Sequence, residues 1–269
     1  MRSDRMKKLR RPLLCIAAVI LVFAAVLIGW WVSTAPRAVI WAGSDLQGEG
    51  RDGAVLSQLL SCVKQNGYRR LDEALFLGDY SSAFDTEKSV EGIGIVCDRF
   101  RRAYGMDADD ILFLQGNHDP ADTPGLDPGG AYEREEYIVY LIHEGDFPSY
   151  AEEDNAYLIE ETAAALDTFL TERAAAGEDR PIFVMTHVPL HMNWREDNRY
   201  ARLWVDVLNR AGEDGLNLIV LFAHNHSDDY DSYLGGSCVY LAPGDDMLVP
   251  DPTAEFGSLT LEDIRGKFP

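Results

Sequence analysis

Short apolar runs alternate with amphipathic stretches along most of the chain, and one long apolar run precedes them all. Residues 38–42 read as a strand, and residues 55–65 as a helix that Asn66-Gly67 ends. Residues 74–77 are predicted to be a second strand, 90–104 a helix and 111–114 a third strand. Residues 119–135, dense in Asp, Pro and Gly, read as a long loop before a strand at 137–142. Residues 155–176 predict a long amphipathic helix with Leu158, Ala165, Leu166, Phe169 and Leu170 on one side. A strand at 182–185, a helix at 199–210 and a strand at 218–222 complete the alternation. Residues 232–261 read as β-hairpins, with turns at Gly235-Gly236 and Pro243-Gly244. Alternating strands and helices call for an α/β sheet, and the β-rich tail for a second, partly antiparallel one.

The long apolar run, residues 13–32, contains 20 residues without a charge. At about 1.5 Å per helical residue it covers roughly 30 Å, the thickness of a bilayer's hydrocarbon core. Trp30 and Trp31 sit at its far end, where indoles favour the membrane interface. Arg2, Arg5, Lys7, Lys8, Arg10 and Arg11 precede it, so the positive-inside rule keeps residues 1–12 cytoplasmic. The expectation is a single-pass chain anchored in the lipid bilayer. Residues 33–37 form the linker, and residues 38–269 an extracytoplasmic domain. The alternative is a cleaved signal peptide, with Ser33 and Ala35 before the cut and a secreted product. A signal h-region of about 7–15 residues is shorter than this run, which favours the anchor.

Charge narrows the partners. The basic N-terminal segment carries a net +5, leaving −26 on the rest of a chain whose total is −21. Such an acidic domain repels polyanions, so no nucleic-acid scaffold role is expected. Cys15 lies in the apolar run; Cys62, Cys97 and Cys238 form no CxxC pair, which argues against a thiolate zinc site. They are expected to be packing residues, with their pairing left open.

The polar residues of interest follow the predicted strands, where an open α/β sheet places its ligands. They are Asp45 with Gln47, then Asp79, then Asn117-His118-Asp119, then His187 with His191, then His224 and His226. Each alone could be an ordinary surface group. Five successive strand ends that each deliver Asp, Asn or His make a metal or catalytic centre the better account. Carboxylate, amide oxygen and imidazole suit Mn, Fe, Zn or Mg, and no thiolate is needed. Gly78 and Gly116 stand directly before such residues, where the chain must turn tightly in a crowded place.

The set Asp45, Gly78-Asp79, Gly116-Asn117-His118-Asp119, His187 and His224-Asn225-His226 resembles the calcineurin-like metallophosphoesterase superfamily, over about residues 38–245. The resemblance implies a two-sheet β-sandwich flanked by helices, here preceded by the transmembrane helix. It implies two divalent metal ions. Asp45, Gln47 and His226 would hold the first, Asp79 would bridge both, and Asn117, His187 and His224 would hold the second. His118 would stand beside the scissile phosphate as a catalytic group, and a metal-bridging hydroxide would attack phosphorus in a mono-, di- or pyrophosphate ester. Two positions depart from the pattern. Gln47 stands where the family has His, a weaker ligand for late transition metals. Ala223 replaces a glycine and is accommodated if its φ is negative. Outside the pattern, His191, Arg195 and Arg199 are candidate substrate contacts, and His143 is expected to be structural. The competing function is a catalytically silent metal-binding surface domain that recognises a partner or phosphorylated ligand.

Overall fold

The computed structural model describes Phe23 and residues 38–46, 52–143, 156–188, 199–224 and 237–241. Backbone contacts divide the chain into Met1–Ala38 and Val39–Pro269, and both sheets with their helices belong to the second unit. Among the described residues no helix is long and apolar enough to cross a membrane; the predicted span at 13–32 lies outside them, Phe23 excepted.

The order of elements is β1 (Ile40–Gly43), α1 (Asp52–Gln65), β2 (Glu73–Phe76), α2 (Thr86–Tyr104), β3 (Ile111–Phe113), β4 (Gly130–Glu133), β5 (Ile138–Ile142), α3 (Ala156–Ala176), β6 (Ile182–Thr186), α4 (Arg199–Glu213), β7 (Leu218–Phe222) and β8 (Ser237–Leu241). Strands β1-β2-β3 make a parallel sheet. Strands β4-β5-β6-β7-β8 make a mixed sheet, parallel from β5 to β7 and antiparallel at both edges.

Strands β2, β3, β5, β6 and β7 are buried on both faces over most of their length, which is why they read as continuous apolar runs. In β2, Ala74 and Phe76 face a core shared with Leu56 and Leu60 of α1 and Ile93, Val96 and Phe100 of α2. In the second sheet, Ile138, Tyr140, Val184 and Val220 face Leu166 and Leu170 of α3 and Trp204 and Leu208 of α4. The alternate residues, among them Leu75, Leu112, Val139, Leu141 and Met185, are buried as well. Side chains alternate along a strand, so this set points away from the helices and into the space between the sheets. The result is a two-sheet sandwich with helices outside.

Local signals account for the elements. Asp85, in an extended conformation, accepts the Lys88 N–H at 3.0 Å and caps α2, which ends at Gly105 with φ 75°. Three expectations need correction. Residues 119–135 are not all loop: β4 pairs antiparallel with β5. It is a half-exposed edge strand in which intermediate and exposed residues alternate, so it carries no apolar run to read. In α3, Ile159, Ala163, Leu166 and Leu170 form the buried stripe, whereas Ala165 is exposed. Cys62 is exposed rather than packed; Cys97 is half-buried against the first core. Of the expected C-terminal hairpins, β8 is described and the remainder lies outside the described residues.

Candidate metal centre

Five strand ends converge. Asp45 follows β1, Asp79 follows β2, Asn117 follows β3, His187 follows β6 and His224 follows β7. Backbone bonds knit these turns together: Asp45 N–H donates to Gly78 O at 3.0 Å, and Ala223 N–H to His187 O at 2.9 Å. Asp79 Oδ1 accepts the His118 N–H at 2.9 Å. Ligand-type atoms of Asp45, Asp79 and His187 all lie within 4.8 Å of one another.

The backbone is strained where the side chains converge. Asp45 (φ 54°), Asp79 (φ 56°) and His224 (φ 69°) are the non-glycine residues with left-handed backbone among those described. Each such conformation costs on the order of 1–3 kcal/mol and persists only when the surroundings impose it. Gly78 and Gly116 permit the close approach. A Cβ on Gly78 would lie 2.4 Å from Gly116 N, and one on Gly116 would lie 2.2 Å from Asp79 Oδ1. Ala223 has no positive φ, so its extra methyl is accommodated as expected.

His187 reveals what the centre needs. It is fully buried, and its Nδ1 lies 2.7 Å from the Leu77 carbonyl. A carbonyl only accepts, so Nδ1 carries a proton, and Nε2 is the ring nitrogen turned toward the centre. Nε2 lies 2.9 Å from Asn117 Oδ1, 3.3 Å from His224 Nδ1 and 3.4 Å from Asp79 Oδ2. Asn117 Oδ1 also lies 2.6 Å from His224 Nδ1. Buried Asp79 Oδ2 has no hydrogen-bond partner among the described residues. Acceptors gathered this closely need positive charge among them, either the proton of His187 Nε2 or a cation in its place. Metal bonds of about 2.1 Å set neighbouring donors about 3.0–3.4 Å apart, close to the three spacings from His187 Nε2. The donor set therefore fits a divalent cation.

The charges of His187 and Asp79 support each other. Burial pushes the His187 pKa down, but the Asp79 carboxylate outweighs it and raises the value to about 9. Burial raises the Asp79 pKa, yet His187 and the His118 N–H outweigh it and hold the carboxyl below its ordinary range. The pocket attracts positive charge.

Of the other predicted residues, His118 is half-exposed at the edge of this cluster. Gln47, His191, Arg195 and His226 lie outside the described residues; the backbone of Arg199 opens α4, and its side chain is not described. His143 is structural, as expected: its Nδ1 accepts the Gln115 N–H at 3.1 Å, and its Nε2 lies 2.7 Å from Asp127 O. Sequence reasoning gave no role to Asp119 or Ser89, which are buried behind the centre and bonded to each other at 2.8 Å. Asp119 stood inside the motif, so its position was a signal; Ser89, on a helix 30 residues earlier, offered none. Burial lifts the Asp119 carboxyl above its ordinary pKa despite its hydrogen bonds.

A family model described as calcineurin-like phosphoesterase matches residues 39–228. No curated protein matches the chain.

Proposed function

This chain belongs to the calcineurin-like phosphoesterase family, and from that membership we propose a phosphate-ester hydrolase that works with two divalent metal ions. The observation that supports this reading is the gathering of Asp79 Oδ2, Asn117 Oδ1 and His224 Nδ1 within 3.4 Å of His187 Nε2, with Asp45 close to Asp79 and His187. Asp79, Asn117, His187 and His224 would hold one ion; Asp45, Asp79, Gln47 and His226 would hold the other. Bound divalent ions supply charge against the phosphoryl oxygens and a nucleophile generated from water.

The protein's own groups do the rest. The Leu77 carbonyl holds the proton of His187 Nδ1, so Nε2 is the nitrogen turned toward an ion, which would displace the proton there. Asp79 Oδ1 holds the backbone of His118, which sets the starting point of the His118 side chain. Half-exposed, His118 can reach an incoming ester and protonate its leaving oxygen. His191, Arg195 and Arg199 would contact the substrate. The strained turns keep the donors preorganised, so little reorganisation is needed when the ester arrives. The reading extends to place: residues 13–32 tether the domain to the extracytoplasmic face of a membrane.

The test uses the full-length chain with Mn²⁺ and aryl phosphate mono- and diesters. The reading predicts hydrolysis that is lost in Asp79→Ala and in His118→Ala. Absence of hydrolysis with every divalent metal tried would contradict it and favour the silent metal-binding domain.

A further inference from the structure

Asp119 is fully buried, and all its acceptor capacity is taken. Oδ2 accepts the Asp79 N–H at 2.7 Å and the Gly116 N–H at 3.0 Å. Oδ1 accepts the Tyr80 N–H at 3.1 Å and the Ser89 hydroxyl at 2.8 Å. A carboxylate offers about four lone-pair sites, so none is left to ligate a cation. The Asp119 backbone is held in return: its N–H donates to Gly116 O at 3.2 Å, and Gln115 Nε2 donates to its carbonyl at 2.9 Å.

These bonds join three segments: the turn after β2, the turn after β3 and the buried face of α2. The residue they grip most closely is Asp79, whose left-handed backbone needs an external hold. The grip is mutual, because the Asp79 carboxylate in turn holds the His118 N–H in the turn that carries Asp119. An amide in place of the carboxylate would turn N–H groups toward N–H groups.

We propose that Asp119 is a positioning residue for the metal centre: acting through the backbone of Asp79, and anchored to α2 by Ser89, it sets how tightly the site binds a divalent cation. The proposal rests on the metal-dependent reading of the function. It differs from a scaffolding role in what it moves. A scaffold residue changes thermal stability alone; a positioning residue changes cation affinity.

The experiment titrates Mn²⁺ into the full-length chain by calorimetry, without substrate, for wild type, Asp119→Asn and Ser89→Ala. Thermal unfolding is recorded for each without added metal. Loss of a group that orients a ligand weakens metal binding by about 10- to 100-fold, the increase in Kd expected for Asp119→Asn. Ser89→Ala removes one of four bonds, and its Kd should rise about threefold or more. If Asp119→Asn does not fold, Ser89→Ala decides the matter. A Kd within twofold of wild type in every folded variant, whatever the loss in melting temperature, would overturn the proposal. A wild-type chain that takes up no Mn²⁺ would overturn the metal-dependent reading as well, so the two failures are distinguishable.

Discussion

Strand β2 has a buried carboxylate at each end, and the two are treated oppositely. Glu73, its first residue, is 2% exposed, and Asp79, three residues past its last, is 1% exposed. Glu73 is fully matched. Arg134 donates to Oε1 through Nε at 2.8 Å and through Nη2, and Tyr137 donates its hydroxyl to Oε2 at 2.7 Å. Arg134 in turn gives its carbonyl to Arg180, which also pairs with Glu178 and Glu133. This closed network ties the first sheet to the second. Asp79 Oδ2 instead faces the ring nitrogen of His187 and has no hydrogen-bond partner among the described residues. A buried carboxylate supplied with donors holds a fold together. One that faces a histidine nitrogen and keeps an oxygen without a hydrogen bond suits a cation. The difference separates structure from chemistry along a single strand.

Substitutions can break this contrast. The largest effect is expected at the open end. Asp79→Ala should lower Mn²⁺-dependent aryl phosphate hydrolysis by roughly 100- to 1,000-fold, the scale on which transition-state charge stabilisation acts. Its melting temperature without added metal should fall as well, because Asp79 Oδ1 holds the His118 N–H and its charge faces His187. At the closed end only stability should move. Glu73→Gln weakens the bonds to Arg134, a third exposed, and to the Tyr137 hydroxyl, at about 1–3 kcal/mol. For a domain of this size that is a fall of roughly 2–12 °C in melting temperature, with Mn²⁺ affinity unchanged.

The outermost link should matter least. Arg180 draws the Glu178 carboxyl down from 4.5 to about 2. A depressed carboxylate stabilises the fold above its unfolded pKa and loses that contribution as pH falls toward the folded value. The melting-temperature difference between wild type and Glu178→Gln should therefore be full at neutral pH, shrinking between about pH 4.5 and about pH 2. The matching stability difference at pH 7 should be about 0.2–1 kcal/mol, since solvent still screens the partly exposed pair.

Much of this could be read from residues alone, and the omissions have physical causes. The strands leading to Asp79, Asn117, His187 and His224 are apolar on both faces, so their runs are continuous and their ends easy to find. β4 escaped because an edge strand half in solvent has no such run. Ala165 was misplaced because alanine fits either face of a helix, and only packing shows that Ile159 and Ala163 face inward. The polar groups at the strand ends pointed to a cluster of Asp, Asn and His, but not to its strain. Glycine is the usual mark of a left-handed residue, and at Asp45, Asp79 and His224 an ordinary side chain adopts it. The Glu73 network was invisible because its partners lie 61 and 64 residues away and meet only once the sheets stack.

The central claim is that the open end of β2 is completed by metal. Crystals of the full-length chain grown with Mn²⁺ and measured at the manganese absorption edge test it most directly. The account predicts anomalous peaks about 3.5–4 Å apart. Asp79 should lie between them, and His187 Nε2 within about 2.2 Å of one. Crystals that diffract well but show no manganese within bonding distance of Asp79 or His187 would contradict it.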